Sequence, residues 1–162
     1  RRRQRQMCIR DRFLYGSVGT GKTYAASCLA NDLMANGKTV LFMSFALYLL
    51  KIRDGFKNNH EETSIESEIL KYVKTCDLLI IDDLGTENVK EFSIEKLFTL
   101  LDTRYRTNKP FIITTNLSLE EIKEKFGERV ADRISGSTHA YECKGESKRK
   151  VDKKSFVNWL MA

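Results

Sequence analysis

Short runs that are apolar almost throughout alternate along this chain with longer stretches in which apolar residues recur every three or four positions. The runs are Phe13-Leu14-Tyr15, Thr39 to Phe45, Leu78 to Ile81 and Phe111 to Thr115. Continuous rather than alternating apolarity predicts strands buried on both faces, as in a parallel sheet. The periodic stretches predict helices. Lys22 to Asn36 puts Ala26, Leu29, Ala30 and Leu33 on one face, with Asn36-Gly37 as the stop. Ala46 to Arg53 reads as a short helix ended near Gly55, followed by a polar loop over 57–62. Thr63-x-x-Glu66 has the form of a capping box, with Ile65, Ile69 and Val73 continuing at helical spacing. Ser93 to Arg106 predicts an amphipathic helix with Leu97, Leu100, Leu101 and Tyr105 inward. Ser118-x-x-Glu121 opens another short helix, and His139 to Cys143 reads as a last strand. Phe156, Val157, Trp159 and Leu160 suggest a closing helix. Strands alternating with helices over 162 residues predict one α/β domain with a parallel sheet between helical layers.

The chemistry concentrates where strands end. Gly16-Ser17-Val18-Gly19-Thr20-Gly21-Lys22-Thr23 fits the phosphate-loop pattern G-x-x-x-x-G-K-[ST] at every fixed position, between a strand and a helix. Glycines let backbone N–H groups turn inward as an anion nest, and the helix N-terminus faces the phosphates. Lys22 can reach the β- and γ-phosphates, and the Thr23 hydroxyl suits a bound Mg²⁺. The loop therefore predicts a site for a nucleoside triphosphate. Asp82 and Asp83 follow the apolar run Leu78 to Ile81, at the strand end where open α/β sheets bind ligands. Asp82 is placed to hold Mg²⁺ through its water shell, and Asp83 to orient or deprotonate an attacking water. Asn116, at the tip of the run 111–115, can hydrogen-bond that water or the γ-phosphate, or can simply be a turn residue. In Gly127 to Ile134, Arg129 and Arg133 stand four apart on one helical face. Either can act on a neighbouring subunit's γ-phosphate, or can be a solvated arginine paired with Glu128 or Asp132.

Charge changes this picture less than its total suggests. The net charge is +6, but residues 1–12 hold six arginines against one aspartate, a net +5. The remainder has 22 basic against 21 acidic residues, or +1. Residues 6–12 back-translate as CAG ATG TGT ATA AGA GAC AGR, which resembles a transposon end used in sequencing adaptors. Residues 1–12 are therefore set aside as non-native, with a basic nucleic-acid-binding arm as the alternative. The basic run 144–154 reads as solvated surface, with DNA contact as the sharper alternative. Cys8, Cys28, Cys76 and Cys143 show no paired short spacing, which argues against a zinc site or disulfide framework and fits a reducing cytoplasm. No apolar run approaches the roughly 20 residues of a membrane span.

From Phe13 onward the chain resembles the DnaC/DnaI-type helicase loaders among the AAA+ ATPases. Gly16 to Thr23 is similar to Walker A, Leu78 to Glu87 to Walker B, Ile112 to Ile122 to the sensor-1 strand and Gly127 to Ile134 to the arginine-finger box. The resemblance implies a three-layer P-loop NTPase over residues 13–162, binding ATP and Mg²⁺ and assembling on single-stranded DNA to deliver the replicative helicase. It implies a homo-oligomer with ATP at subunit boundaries, Arg133 favoured over Arg129 as the finger in trans, and an N-terminal helicase-docking domain outside this chain. The family's helical lid is expected to be absent, leaving Arg149 as the nearest substitute for its arginine. Asp83 stands where most such ATPases have glutamate, so slow hydrolysis is expected. Lys51, Arg53 and Lys57 are candidates for single-strand contact. An IstB-like transposition helper shares the same core and is the alternative. A small-molecule kinase and a nucleotide-sensing scaffold fit less well.

Overall fold

A computed structural model of the chain describes residues 11–57 and 62–147. In order, the elements are β1 (Asp11–Tyr15), α1 (Lys22–Ala35), β2 (Val40–Ser44), α2 (Phe45–Lys57), α3 (Glu62–Thr75) and β3 (Leu78–Leu84). There follow α4 (Glu91–Thr107), β4 (Phe111–Thr115), α5 (Leu119–Phe126), α6 (Glu128–Ser137) and β5 (Thr138–Glu142). The five strands form one parallel sheet in the order β2-β3-β4-β1-β5. This is the expected three-layer α/β fold.

The layers follow from strand alternation, since successive side chains point to opposite faces. Leu79 and Ile81 of β3 join Phe13, Phe111 and Ile113 in a large core under α2 to α6, which contribute Phe45, Ile52, Val73, Leu97, Leu101, Ile122 and Ile134. Leu78 and Ile80 of β3 face the other way, with Ile112, and meet Ala26 and Ala30 of α1. The two alanines let α1 lie close to the sheet, which fixes the loop that precedes it. Ser118 caps α5 as read, accepting the N–H of Glu121 while Glu121 accepts that of Ser118.

Several expectations are corrected. β1 begins at Asp11, so the boundary drawn after residue 12 falls inside a strand. Arg12 pairs with Ile112 and His139, and the buried Asp11 accepts the N–H of Phe111 through Oδ1 at 3.0 Å. β2 is an edge strand, so its run is only half covered, and Phe42 is 39% exposed. α2 runs on through Gly55 to Lys57 because its apolar stripe of Phe45, Tyr48 and Ile52 is already anchored in the core. Thr63 falls inside α3 and is not its cap, and Glu66 instead pairs with Lys96 at 2.7 Å. Leu29 and Tyr105, both expected inward, are exposed. Residues 1–10, the centre of the 57–62 loop, Arg149, most of the 144–154 run and the closing helix lie outside the described residues.

Candidate active site

β4 lies between β1 and β3, so the C-terminal ends of three strands open on one place. Each strand hands a different chemistry to it. β1 runs into the phosphate loop, β3 delivers Asp82 and Asp83, and Asn116 directly follows β4. A cleft of about 740 Å³ is lined there by Val18, Gly19, Thr20, Gly21, Lys22, Thr23, Asp82, Asp83, Thr114 and Asn116, with Tyr24 and Ala25 from the first turn of α1. That volume lies within the usual range for small-molecule sites.

The loop's shape is fixed by its sequence. Gly16 has φ 126°, and a Cβ there would stand 2.5 Å from the carbonyl oxygen of Cys143, just past β5. Gly19 has φ 82°, and its Cβ would strike Ser147. Thr20 donates from its hydroxyl to the Ser17 carbonyl at 2.9 Å, tying the turn internally. Lys22 is 7% exposed, and its Nζ donates to the carbonyls of Gly16 and Ser17 at 2.7 Å each. The ammonium thus sits beneath the loop, and Gly16 and Ser17 hold it from behind rather than lining the cleft. The first turn of α1 carries no acidic residue, so the positive end of its dipole is not offset.

Opposite the loop, Asp82 is half-buried and Asp83 exposed. The hydroxyl of Thr114 donates to Asp82 Oδ1 at 2.6 Å and accepts the Asp83 N–H at 3.0 Å. Thr114 is the site residue that sequence reasoning missed. Its signal was available, since it stands in a buried strand two positions before Asn116. Beyond β3, Glu87 folds back to accept the N–H of Gly85, and burial raises its carboxyl above the ordinary carboxylate range. Among the described residues no three His, Cys, Asp or Glu side chains cluster as a metal site. A magnesium ion arriving with phosphates asks for less, typically one or two protein oxygens with water completing its shell. Thr23 and Asp82 lie on the same cleft and meet that requirement.

Arg129 and Arg133 are not brought to this cleft. Both stand on one face of α6, as their spacing predicts. Arg129 lies 4.6 Å from the centre of the Phe98 ring, and Arg133 lies 4.4 Å from that of Tyr105. Arg133 Nη2 also donates to Asp102 Oδ1 at 2.7 Å. Lys51 and Arg53 are exposed on α2. Among the described residues no helix is long and apolar enough to cross a membrane.

Comparison with known proteins adds to this geometry. The sequence profile of the IstB-like ATP binding proteins matches residues 9–155. The replicative helicase loader DnaC of Escherichia coli K12 is 31% identical over 119 residues, covering 74% of this chain and 47% of that protein. The chain thus spans about half the length of that relative. In structure it is similar to the DnaC helicase loader, with a TM-score of 0.71 at 24% identity, over 83% of this chain and 78% of that one. It is similar also to the replication initiator DnaA bound to AMPPCP and single-stranded DNA, with a TM-score of 0.72 at 23% identity, over 93% of this chain and 46% of that one.

Proposed function

Because this chain belongs to the family of IstB-like ATP binding proteins, we propose that its cleft holds ATP with Mg²⁺ and hydrolyses it, as the switch of a helicase-loading DNA replication protein. One observation carries this reading: the phosphate loop, Asp82, Asp83 and Asn116 line a single cleft. A phosphate-binding loop alone would fit any nucleotide binder. Paired carboxylates and a strand-tip amide opposite it favour water as the acceptor.

The roles follow from chemistry. Backbone N–H groups of Val18 to Thr23 receive the phosphates, and Lys22 leaves its loop carbonyls for the β- and γ-phosphates. Thr23 and Asp82 hold Mg²⁺, which when bound offsets charge on the phosphate oxygens. Asp83 accepts a proton from the attacking water, and Asn116 orients that water or the γ-phosphate. Arg133 of a neighbouring copy stabilises the charge that develops on transfer, a contribution of about 10³–10⁵ in rate where such fingers operate. Arg129 of that neighbouring copy, and Arg149, assist at the phosphates. Arg133 is stacked on Tyr105 and paired with Asp102, outside the cleft of its own chain, which supports a role toward another copy.

In this reading the ATPase unit includes β1 from Asp11 onward and works in the cytoplasm as a homo-oligomer that engages the replicative helicase. Single-stranded DNA runs along the exposed cations Lys51 and Arg53, and Lys57 is a further candidate for contact. The curated relative is named a helicase loader, and the DnaA of similar fold is described as bound to AMPPCP and single-stranded DNA. A transposition helper is the second reading, favoured by the IstB-like match along most of the chain. A transposase gene beside this one would decide for it.

Equilibrium titration with a fluorescent ATP analogue tests the site. Lys22→Ala is expected to weaken binding by about 100-fold, a loss of roughly 2.7 kcal/mol, while leaving the fold intact by circular dichroism. Unchanged affinity in that variant would end the assignment of the cleft.

A further inference from the structure

Two adjacent strand residues should not face the same way. Side chains alternate along a strand, yet Asp82 and Asp83 both line the cleft. β3 escapes alternation by a bulge. Ile81 pairs with Ile113 and Leu84 with Thr115, so β3 advances three residues while β4 advances two. Asp83 takes φ 56°, a left-handed conformation that aspartate adopts more readily than most residues.

A bulge leaves backbone groups without their ladder partners, and two consecutive threonine hydroxyls of β4 take them. Thr115 Oγ1 donates to the Leu84 carbonyl at 2.6 Å and accepts the Leu117 N–H at 3.1 Å. Thr114 Oγ1 accepts the Asp83 N–H at 3.0 Å and donates to Asp82 Oδ1 at 2.6 Å. A hydroxyl has one proton to give. The Asp83 N–H can only donate, so that proton goes to the Asp82 carboxylate. Thr114 is 1% exposed, so its own hydroxyl is shielded from bulk water.

We infer that Thr114 is the positioning residue for both carboxylates: its one buried hydroxyl orients Asp82 toward the metal and holds Asp83 in the bulge that aims it at water. The inference rests on the ATP-hydrolysing reading above. It also ties the strand that leads into Asn116 to the strand that carries the acids, so β3 and β4 act on the γ-phosphate as one unit. Thr115, by contrast, closes the bulge without touching either acid.

Outer-shell partners of metal-ligating carboxylates contribute about 10–100-fold in affinity or rate. Thr114→Val keeps the β-branched shape and removes both bonds, whereas Thr114→Ser keeps the hydroxyl. Two readouts separate positioning from packing. One is the Mg²⁺ concentration at which binding of a fluorescent ATP analogue is half enhanced; the other is steady-state turnover. Thr114→Val is expected to bind the analogue like the parent in EDTA, to need about 10–100-fold more Mg²⁺, and to lose about 10–100-fold in kcat with KM for ATP little changed. Thr114→Ser should recover both, and Thr115→Val should melt earlier yet keep the parental Mg²⁺ midpoint. If Thr114→Val does not fold, Thr114→Ala carries the same expectations. A parental Mg²⁺ midpoint and kcat in Thr114→Val would overturn the inference. So would Thr114→Ser as impaired as the valine variant, or a Thr115→Val midpoint shifted equally. A parent protein that binds Mg²⁺ and the analogue without turnover would sink the hydrolysis reading alone, since the Mg²⁺ midpoint still judges Thr114. A parent without any Mg²⁺ effect on binding would sink both.

Discussion

Among the described residues Arg104 is the largest completely buried side chain, and its guanidinium acts as a buried clamp. Nη1 donates to the carbonyls of Val73 and Cys76 at the end of α3, at 2.7 and 3.0 Å. Nη2 donates to those of Asp77 and Pro110, where β3 and β4 begin, at 3.3 and 2.5 Å. Burial lowers the arginine's pKa, but its cation still sits at the negative end of a helix dipole. Replacing it with alanine would remove a donor from four carbonyls, of which Cys76 would keep Lys109 Nζ and Pro110 the N–H of Leu79. Arg104→Ala is expected to cost about 3–4 kcal/mol, read as a lower urea midpoint at unchanged slope. A loss under 1 kcal/mol would mean that water satisfies those carbonyls. The residue was within reach of the sequence. It continues the stripe of Leu97, Leu100 and Leu101 at helical spacing, yet an arginine there reads as solvated because its carbonyl partners belong to distant backbone. The same stripe points Tyr105 inward, but Tyr105 is 43% exposed and supports Arg133 instead. By contrast Lys22 and Thr23 could be read from the local phosphate-loop pattern, and Asp82 and Asp83 from adjacent acids that close an apolar run some sixty residues later.

Elements were legible where one face meets a uniform environment. β4 is wholly buried, with three apolar residues before its two threonines, and α5 begins at the capping box read for it. Edges defeated the same logic, since nothing in Val40 to Ser44 says that β2 would be covered on one side only. The bulge in β3 was equally hidden, because it depends on hydroxyls from a strand some thirty residues later. The entry of β2 and β3 is joined by Asp77, whose Oδ2 accepts the N–H and the hydroxyl of Thr39 at 2.9 Å each. These bonds, the N–H of Thr39 foremost, hold the Asp77 carboxyl below its ordinary value, with Lys38 and Lys109 acting in the same direction. The folded state therefore binds fewer protons here than the unfolded state. The contribution is complete above the ordinary carboxylate value of about 4 and is lost as the pH falls through the lowered one. Between about pH 5 and pH 2, Asp77→Asn should lose less stability with acid than the parent protein does. Equal acid sensitivity of the two would remove this joint from the account.

At the scale of the whole molecule, the strand order is what the sequence could not display. Alternating strands and helices predict a parallel sheet, but not that β4 slides between β1 and β3. That order brings a loop near residue 20, two acids near residue 82 and an amide at residue 116 to one cleft. It also leaves Arg133 on α6, paired with Asp102 and outside the cleft of its own chain. A self-contained hydrolase would need its arginine at its own phosphates, whereas a shared site needs it where a second copy can present it.

ATP turnover per subunit should therefore be measured across protein concentration, with and without single-stranded DNA, for the parent protein and Arg133→Ala. A shared site predicts that turnover per subunit rises with concentration and with DNA. It also predicts that Arg133→Ala loses about 10³-fold or more in rate while still binding nucleotide. Turnover indifferent to concentration, to DNA and to Arg133 would contradict the account and return the chain to a self-contained site with some other phosphoryl acceptor.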